Sequence, residues 1–154
     1  MRLYIKMLSL SIALFVVFCM AYLSEYFAVV NGEFYINLTR LILVDKHIFF
    51  NTILPLIYVI FIISIAISVY DKETRSTIVL WVLIAFLNIA WCAFFFKFKL
   101  VYLAQELVIL IFLLTSYLEY LYARKNLKLA LLILPITLCY ALAVALSFGL
   151  IVIS

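Results

Sequence analysis

The stretch TIVLWVLIAFLNIAWCAFFF, residues 77–96, contains twenty residues without a charged side chain. At roughly 1.5 Å of rise per residue, a helix of this length crosses the hydrocarbon layer of a lipid bilayer, which is about 30 Å thick. The tripeptide Lys97–Lys99 separates it from a second, largely apolar stretch, residues 100–122. Because so short a turn keeps two helices side by side, the sequence predicts a transmembrane helical hairpin.

The rest of the chain repeats this pattern. Five long apolar stretches with few or no charges are present: Met7–Tyr26, Ile48–Tyr70, Thr77–Phe96, Leu100–Tyr122 and Leu129–Ile153. With 71% hydrophobic and 12% charged residues in a chain of 154, the composition is not that of a soluble protein. Alternating strand patterns are absent, which leaves helices as the spanning structure. We therefore predict an all-α integral membrane protein, a compact bundle of five transmembrane helices forming one domain over residues 1–154.

The N-terminal apolar stretch resembles a signal peptide in one respect, because the basic residues Arg2 and Lys6 precede it. Its apolar run is longer than a signal core and no clean cleavage site follows, so we predict a helix. An N-terminus in the cytoplasm would place seven of the eleven Lys and Arg residues inside. We expect the N-terminus to be cytoplasmic and the C-terminus outside. No basic run interleaved with polar residues indicates nucleic-acid binding.

The first connection, residues 27–47, is the only long one. It mixes apolar side chains such as Phe34 and Leu38 with charges, unlike a polar linker. We expect it to fold back as a helical lid over the outer end of the bundle, where a ligand entrance would be gated. The alternative is an amphipathic segment in the headgroup layer.

Asn88 and Glu106 are polar residues inside two predicted spans. Polar groups at membrane depth are costly, so they mark the interior of a bundle. Each lies nine residues from Lys97, hence about 13 Å below the turn at the same depth. We predict a hydrogen bond between these two side chains beneath a ligand cavity. The alternative is a helix–helix clasp without a role in binding.

Aromatic and small residues surround this depth. Trp81 and Trp91 flank Asn88 at helical spacing and would give a flat ligand aromatic walls. In the fifth span, Cys139, Ala143 and Ser147 form one stripe of small residues, and Ala141, Ala145 and Gly149 form another. We expect one stripe to line the interior and the other to be a candidate contact in a homodimer.

Enzyme and metal motifs are not found. The three cysteines lie in apolar spans without metal-like spacing, and His47 stands alone at an interface. There is no phosphate-binding loop, nucleophile elbow or zinc box. We predict no catalytic residue and no metal site.

The segment LNIAWCAFFF, residues 87–96, resembles the third helix of the TspO/translocator-protein (tryptophan-rich sensory protein) family, with Leu-Asn, a Trp three residues later and a closing Phe-Phe. Glu106 falls where that family has an acidic residue. The LILP sequence ending at Pro135, followed by Ala143, is similar to its fifth helix. The segment Phe34–Arg40 is similar to its first-loop motif.

The sequence also departs from the family pattern. Cys139 stands at the position of a fifth-helix Trp, Pro55 at that of a second-helix Trp, and only Trp81 and Trp91 remain. The Leu-x-Tyr-x-Arg-like ending associated with sterols is missing its Tyr and Arg. These differences leave a cavity as the expectation and make its ligand preference a separate question.

The resemblance implies a receptor or carrier for a hydrophobic planar ligand such as a porphyrin, and in some members sterol-like lipids. No cofactor would be required, and a haem-like tetrapyrrole would be a ligand. We expect a multi-pass protein of the bacterial cell membrane whose partners are the bilayer and this ligand. Two alternatives stay open: a porphyrin-degrading enzyme, and a structural or regulatory subunit acting through a protein partner. The predicted ligand-binding residues are Asn88, Trp91, Glu106, Trp81, Cys139, Ala143 and Phe34.

Overall fold

A computed structural model describes residues 2–30 and 54–153 of the chain. They form five α-helices: α1 (Arg2–Val30), α2 (Leu54–Tyr70), α3 (Ile78–Cys92), α4 (Val101–Lys125) and α5 (Leu127–Ile153). A 3₁₀ turn, Arg75–Thr77, leads into α3, and a π-helical turn, Ala93–Lys97, continues it. No strand occurs in these two ranges, and the predicted all-α membrane fold is confirmed.

The helices have the length and composition of membrane spans. Four of them contain apolar segments long enough to cross a bilayer, and α2 contributes a shorter apolar helix over Pro55–Tyr70. In each long span only 28% to 33% of the most apolar stretch is buried inside the bundle. The remaining side chains face outward and include large residues such as Phe15, Phe86 and Leu113. Lipid can cover this surface, whereas water would oppose its exposure.

The bundle has two ends, which we name for reference. The near end holds Arg2, the α2–α3 connection and the α4–α5 connection, and the far end holds Lys97 and the α3–α4 connection. Because successive helices run in opposite directions, α1, α3 and α5 start at the near end, while α2 and α4 start at the far end.

The helices pack in a ring whose order is α1, α2, α5, α4, α3 and back to α1. The short connections predicted neighbouring pairs, and α3 with α4 and α4 with α5 are such pairs. The pair α2 and α3 differs, because α1 lies between them in the ring. These two helices touch across the interior, where the ring of Phe61 meets Trp81 edge-on at 5.3 Å.

One face of every helix supplies the core. Buried positions follow each other at intervals of three or four residues, as one side of an α-helix requires. They include Ala13, Val17 and Met20 on α1, Ile57, Phe61 and Ile65 on α2, Trp81, Ile84 and Ala85 on α3, Val108, Ile111 and Leu118 on α4, and Ile133 and Ile136 on α5. This spacing sets which polar side chains enter the interior.

Helix boundaries differ from the predictions where charged residues continue a helix. The predicted loop 123–128 is reduced to Asn126, whose extended backbone (φ −154°, ψ 119°) separates α4 from α5. Its Oδ1 accepts a hydrogen bond from the backbone N–H of Lys128 at 3.0 Å and so caps α5. Arg124 and Lys125 are good helix formers and extend α4. Of the predicted lid over 27–47, residues 27–30 belong to α1 and the rest lies outside the described residues.

The α3–α4 connection turns sharply at the far end. Lys99 has φ 56°, in the left-handed region that disfavours side chains with a Cβ. The backbone N–H of Phe98 bonds to the carbonyl of Ala93 at 3.1 Å, and that of Leu100 to Phe94 at 2.9 Å. The π-helical turn and this left-handed residue together reverse the chain within a few residues.

Candidate functional site

Asn88 lies on the inner face of α3 and is 9% exposed. Its Nδ2 donates a hydrogen bond to Ser24 Oγ on α1 at 3.0 Å. Its Oδ1 accepts a hydrogen bond from the hydroxyl of Tyr140 on α5, also at 3.0 Å. We call Ser24, Asn88 and Tyr140 the Asn88 cluster; it joins three helices through one amide group.

The helical repeat explains why these side chains meet. Asn88 follows the buried Trp81 and Ala85 by seven and three residues, Ser24 follows Met20 by four, and Tyr140 follows Ile136 by four. Each polar group therefore replaces one apolar residue on a face that points inward. A buried amide is tolerated in apolar surroundings when both its donor and its acceptor are used, as they are here.

The side chains of the Asn88 cluster carry no formal charge, and the carboxylate that lies near its surroundings is that of the exposed Glu25, which acts electrostatically on Tyr58. Tyr58 on α2, Cys92 on α3 and Cys139 on α5 lie close enough to Tyr140 to interact with its hydroxyl electrostatically. Amide, hydroxyl and thiol groups can orient a ligand by hydrogen bonding. Within residues 2–30 and 54–153, no group of three His, Cys, Asp or Glu side chains is placed to hold a metal ion.

An aromatic pair lies next to the cluster, toward the far end. The rings of Trp91 and Phe95 stack with their centroids 5.4 Å apart and an interplanar angle of 22°. Phe95 belongs to the π-helical turn, a feature that occurs frequently at functional sites. Trp91 is half-buried, three residues beyond Asn88. The pair forms a flat aromatic surface about one helical turn from the amide.

A second polar cluster occupies the near end. The indole Nε1 of Trp81 donates to the hydroxyl of Tyr122 at 3.2 Å, and Thr77 Oγ1 lies 2.8 Å from the same hydroxyl. Tyr122 also hydrogen-bonds to Ser68 Oγ, which in turn donates to the carbonyl of Ser64 at 2.9 Å. We call Ser68, Thr77, Trp81 and Tyr122 the Tyr122 cluster. It ties α2, the 3₁₀ turn, α3 and α4 together.

The predicted site residues therefore do not form one group. Asn88 and Trp91 lie in the far half of the bundle, and Cys139 and Ala143 are half-buried on α5 beside Tyr140. Trp81 is fully buried and belongs to the Tyr122 cluster, seven residues or about 10 Å along α3 from Asn88. Phe34 lies outside the described residues.

The predicted hydrogen bond between Asn88 and Glu106 is wrong. Asn88 uses Ser24 and Tyr140 as partners, and the side chain of Glu106 is exposed on the outer surface of α4. The count of residues from the turn predicts only the depth of a side chain, and Glu106 lies on the exposed face of α4. The adjacent Gln105 faces inward instead and is 8% exposed.

Five residues of the two clusters were missed by the sequence analysis: Ser24, Ser68, Thr77, Tyr122 and Tyr140. Each lies in an apolar span at a position where the three-or-four spacing of the core continues. A tyrosine on such a face brings a hydroxyl that needs a partner once it is buried. That combination was the available signal for Tyr122 and Tyr140, while the two serines and the threonine have no comparable one.

A shallow crevice lies between α2, α4 and α5 beside Tyr122, lined by Ser64, Ile67, Leu129, Leu132 and Ile133, and it has no room for even a water-sized sphere. Pockets that enclose drug-sized molecules have roughly 300–1,000 Å³. The crevice is therefore too small for a tetrapyrrole and is not the predicted cavity.

The fold and the inward-facing polar groups define an integral membrane protein of the helical-bundle class with a buried, uncharged polar site. The chain belongs to the TspO/MBR family, whose sequence model matches residues 11–153. No curated protein and no solved structure matches the chain. Membership in this family gives the chain a ligand-binding or transport role in a membrane.

Proposed function

We propose that the protein is a membrane receptor or carrier for a hydrophobic, planar ligand of the porphyrin type. The observation that carries this proposal is the position of the Asn88 cluster beside the stacked rings of Trp91 and Phe95. A conjugated macrocycle is bound by aromatic faces together with a few hydrogen-bonding groups that fix its orientation.

The uncharged side chains of the Asn88 cluster fit the apolar macrocycle of such a ligand. A hydrophobic macrocycle reaches the bundle from the bilayer, and an ionic site inside the hydrocarbon layer would be costly to maintain. The amide of Asn88 and the hydroxyl of Tyr140 can exchange hydrogen bonds with each other or with polar edges of a ligand. Cys139 and Ala143 are small residues that flank Tyr140 on α5 and pack against the core.

The proposed site lies in the far half of the bundle. Asn88, Trp91, Cys139 and Ala143 are its described residues, and Phe34 stays a prediction for its outer wall. Glu106 and Trp81 are not part of the proposed site, since one faces outward and the other packs in the Tyr122 cluster. Sterol-like lipids are a second ligand type to be tested against the porphyrin.

The two tryptophans allow a direct experiment. The full chain, purified in detergent, is titrated with protoporphyrin while its fluorescence is followed. The Trp81→Phe variant leaves Trp91 as the reporter, and the Trp91→Phe variant leaves Trp81. We expect saturable quenching that is stronger for Trp91, because that ring would lie against the ligand and Trp81 lies about 15 Å away along α3.

An affinity comparison completes the test. Asn88→Leu, which keeps the approximate volume but removes both hydrogen bonds, is expected to weaken protoporphyrin binding about tenfold. Cholesterol is added as a competitor to measure the sterol preference. Quenching that does not saturate, or an affinity that is the same in wild type and Asn88→Leu, would contradict the proposal.

We also propose that the near end faces the cytoplasm, because seven of the eleven basic residues lie there. The inference is tested by fusing a cytoplasm-active or a periplasm-active reporter to the C-terminus. Activity of the cytoplasmic reporter would show the opposite orientation.

A further inference from the structure

Seven exposed basic side chains lie at the near end of the bundle. They come from α1, the α2–α3 connection, α4 and α5, and we call them the basic face: Arg2, Lys6, Lys72, Arg75, Arg124, Lys125 and Lys128. Among residues 2–30 and 54–153, the carboxylates in this half are Asp71, Glu73 and, almost two turns further into α4, Glu119. Seven basic and three acidic residues leave an excess of four positive charges at the near end, which equals the net charge of the whole chain, +4. The other four basic residues are balanced by the other four acidic ones.

The contacts of the basic face leave its charge uncompensated. Lys6 Nζ lies 5.4 Å from the ring centroid of Tyr70, and the guanidinium of Arg124 lies 5.9 Å from that of Tyr120. Lys125 Nζ donates to the backbone carbonyl of Glu73. Within the described ranges, none of the seven side chains forms an ion pair with a carboxylate. Aromatic rings and a carbonyl orient these cations without neutralising them.

The contact between Lys125 and Glu73 has a second effect. It joins the α4–α5 connection to the α2–α3 connection, although the two residues are 52 positions apart in the chain. The cations of both connections therefore belong to one surface. Through Lys6 and Tyr70, α1 is attached to the same surface.

Exposed apolar and aromatic side chains set the depth of the basic face. Leu3 is 69% exposed, Tyr4 78% and Leu127 67%, and they lie beside Arg2, Lys6 and Lys128 in the sequence. Such side chains occupy the boundary between acyl chains and headgroups, where tyrosine is enriched in membrane proteins. The adjacent cations reach the phosphate layer from this position.

We propose that the basic face binds the headgroups of anionic phospholipids in the leaflet at the near end. Lipid fits better than an acidic protein because the cations are distributed over the circumference of the bundle, next to side chains that contact acyl chains. Each basic residue near an anionic membrane surface strengthens attraction about fivefold. The inference does not depend on the porphyrin ligand, since it concerns the opposite end from the Asn88 cluster.

The test compares two double variants with the same change in charge. Lys72→Gln with Lys128→Gln removes two cations from the basic face, and Lys97→Gln with Lys99→Gln removes two from the far end. The full chain in neutral detergent is titrated with dioleoyl phosphatidylglycerol or dioleoyl phosphatidylcholine, and bound lipids are counted by native mass spectrometry. Inorganic phosphate at the same concentration separates a headgroup site from a free-phosphate site.

We expect phosphatidylglycerol to be retained at least tenfold better than phosphatidylcholine. The near-end variant should lose about tenfold or more of this preference, the far-end variant should keep it, and roughly 0.5 M NaCl should reduce it by screening. Equal retention of both lipids, equal losses in both variants, or displacement by phosphate would overturn the proposal. If soluble polyglutamate binds as tightly as phosphatidylglycerol, the surface fits acidic proteins and the lipid assignment fails.

Discussion

The Asn88 cluster and the Tyr122 cluster both place hydrogen-bonding groups inside an apolar bundle, but their surroundings differ. In the Tyr122 cluster, Trp81 is fully buried and packs against the equally buried Phe61. The hydroxyl groups of this cluster form hydrogen bonds with one another. The Asn88 cluster borders the buried Cys92 and Phe95 and also the half-buried Trp91 and Cys139. We propose that this difference in burial separates a cluster that holds helices together from one that is available to a ligand.

The largest effect on stability is expected for Tyr122→Phe, which removes the hydroxyl that contacts Ser68, Thr77 and Trp81. Interhelical hydrogen bonds in membranes contribute about 0.6 kcal/mol each, so the loss should be about 2 kcal/mol. Unfolding by sodium dodecyl sulfate, followed by tryptophan fluorescence, measures it. Tyr117→Phe is the matched control, because Tyr117 is exposed on the same helix. Protoporphyrin affinity should stay within twofold; a tenfold change would remove the distinction between the clusters.

Asn88→Leu should affect protoporphyrin affinity more strongly, and stability less strongly, than Tyr122→Phe does. Two hydrogen bonds are lost, so the expected decrease in unfolding free energy is about 1 kcal/mol. The affinity for protoporphyrin should fall about tenfold, as a titration of the same sample measures. If Asn88→Leu lost more stability than Tyr122→Phe and kept its affinity for protoporphyrin, Asn88 would serve to hold the helices together and not to bind the ligand.

Tyr140→Phe removes one hydrogen bond of the Asn88 cluster while keeping the ring. We expect a decrease of about 0.6 kcal/mol in stability. The affinity loss should be smaller than for Asn88→Leu, because the amide remains. Tyr120→Phe, an exposed tyrosine on α4, serves as the control for both measurements. An affinity loss exceeding that of Asn88→Leu would make the hydroxyl the main hydrogen-bonding group of the site.

The smallest effect is expected for Glu106→Gln. The side chain is exposed on α4, so both stability and protoporphyrin affinity should match those of the unmodified protein within error. Unfolding and titration under the same conditions measure both quantities. A clear loss of affinity would return Glu106 to the binding site and place the ligand on the outer surface of α4.

The five apolar helices, four of them long enough to span a bilayer, could be predicted because their signal is the composition of long segments. The exact ends could not, since Arg124 and Lys125 carry charge but no helix-breaking chemistry, and α4 continues through them. The order of the helices around the ring could not be predicted from the sequence either. A short connection requires two helices to be close at one end, yet α1 separates α2 from α3 over most of their length.

The candidate site could be predicted only in part, because the sequence indicates the depth of a side chain along its helix but not the direction in which the side chain points. Counting residues from a turn predicts the depth of a side chain, and the polar character of Asn88 within an apolar span predicted its position inside the bundle, where it is buried. Rotation about the helix axis depends on which helices are neighbours, and a change of one residue turns a side chain by about 100°. For this reason Gln105 faces the interior and Glu106 does not.

The hydrogen bonds of the two clusters also constrain the order in which the bundle can be completed. Ser68 and Tyr122 are 54 residues apart, so their bond becomes available once α4 has been synthesised. The bond between Asn88 and Tyr140 requires α5. Because a chain emerges from its N-terminus, the Tyr122 cluster can close first, and the Asn88 cluster only after the last helix has inserted. A chain truncated after α4 would therefore keep the hydrogen bonds of the Tyr122 cluster but lack Tyr140, and with it part of the proposed ligand site.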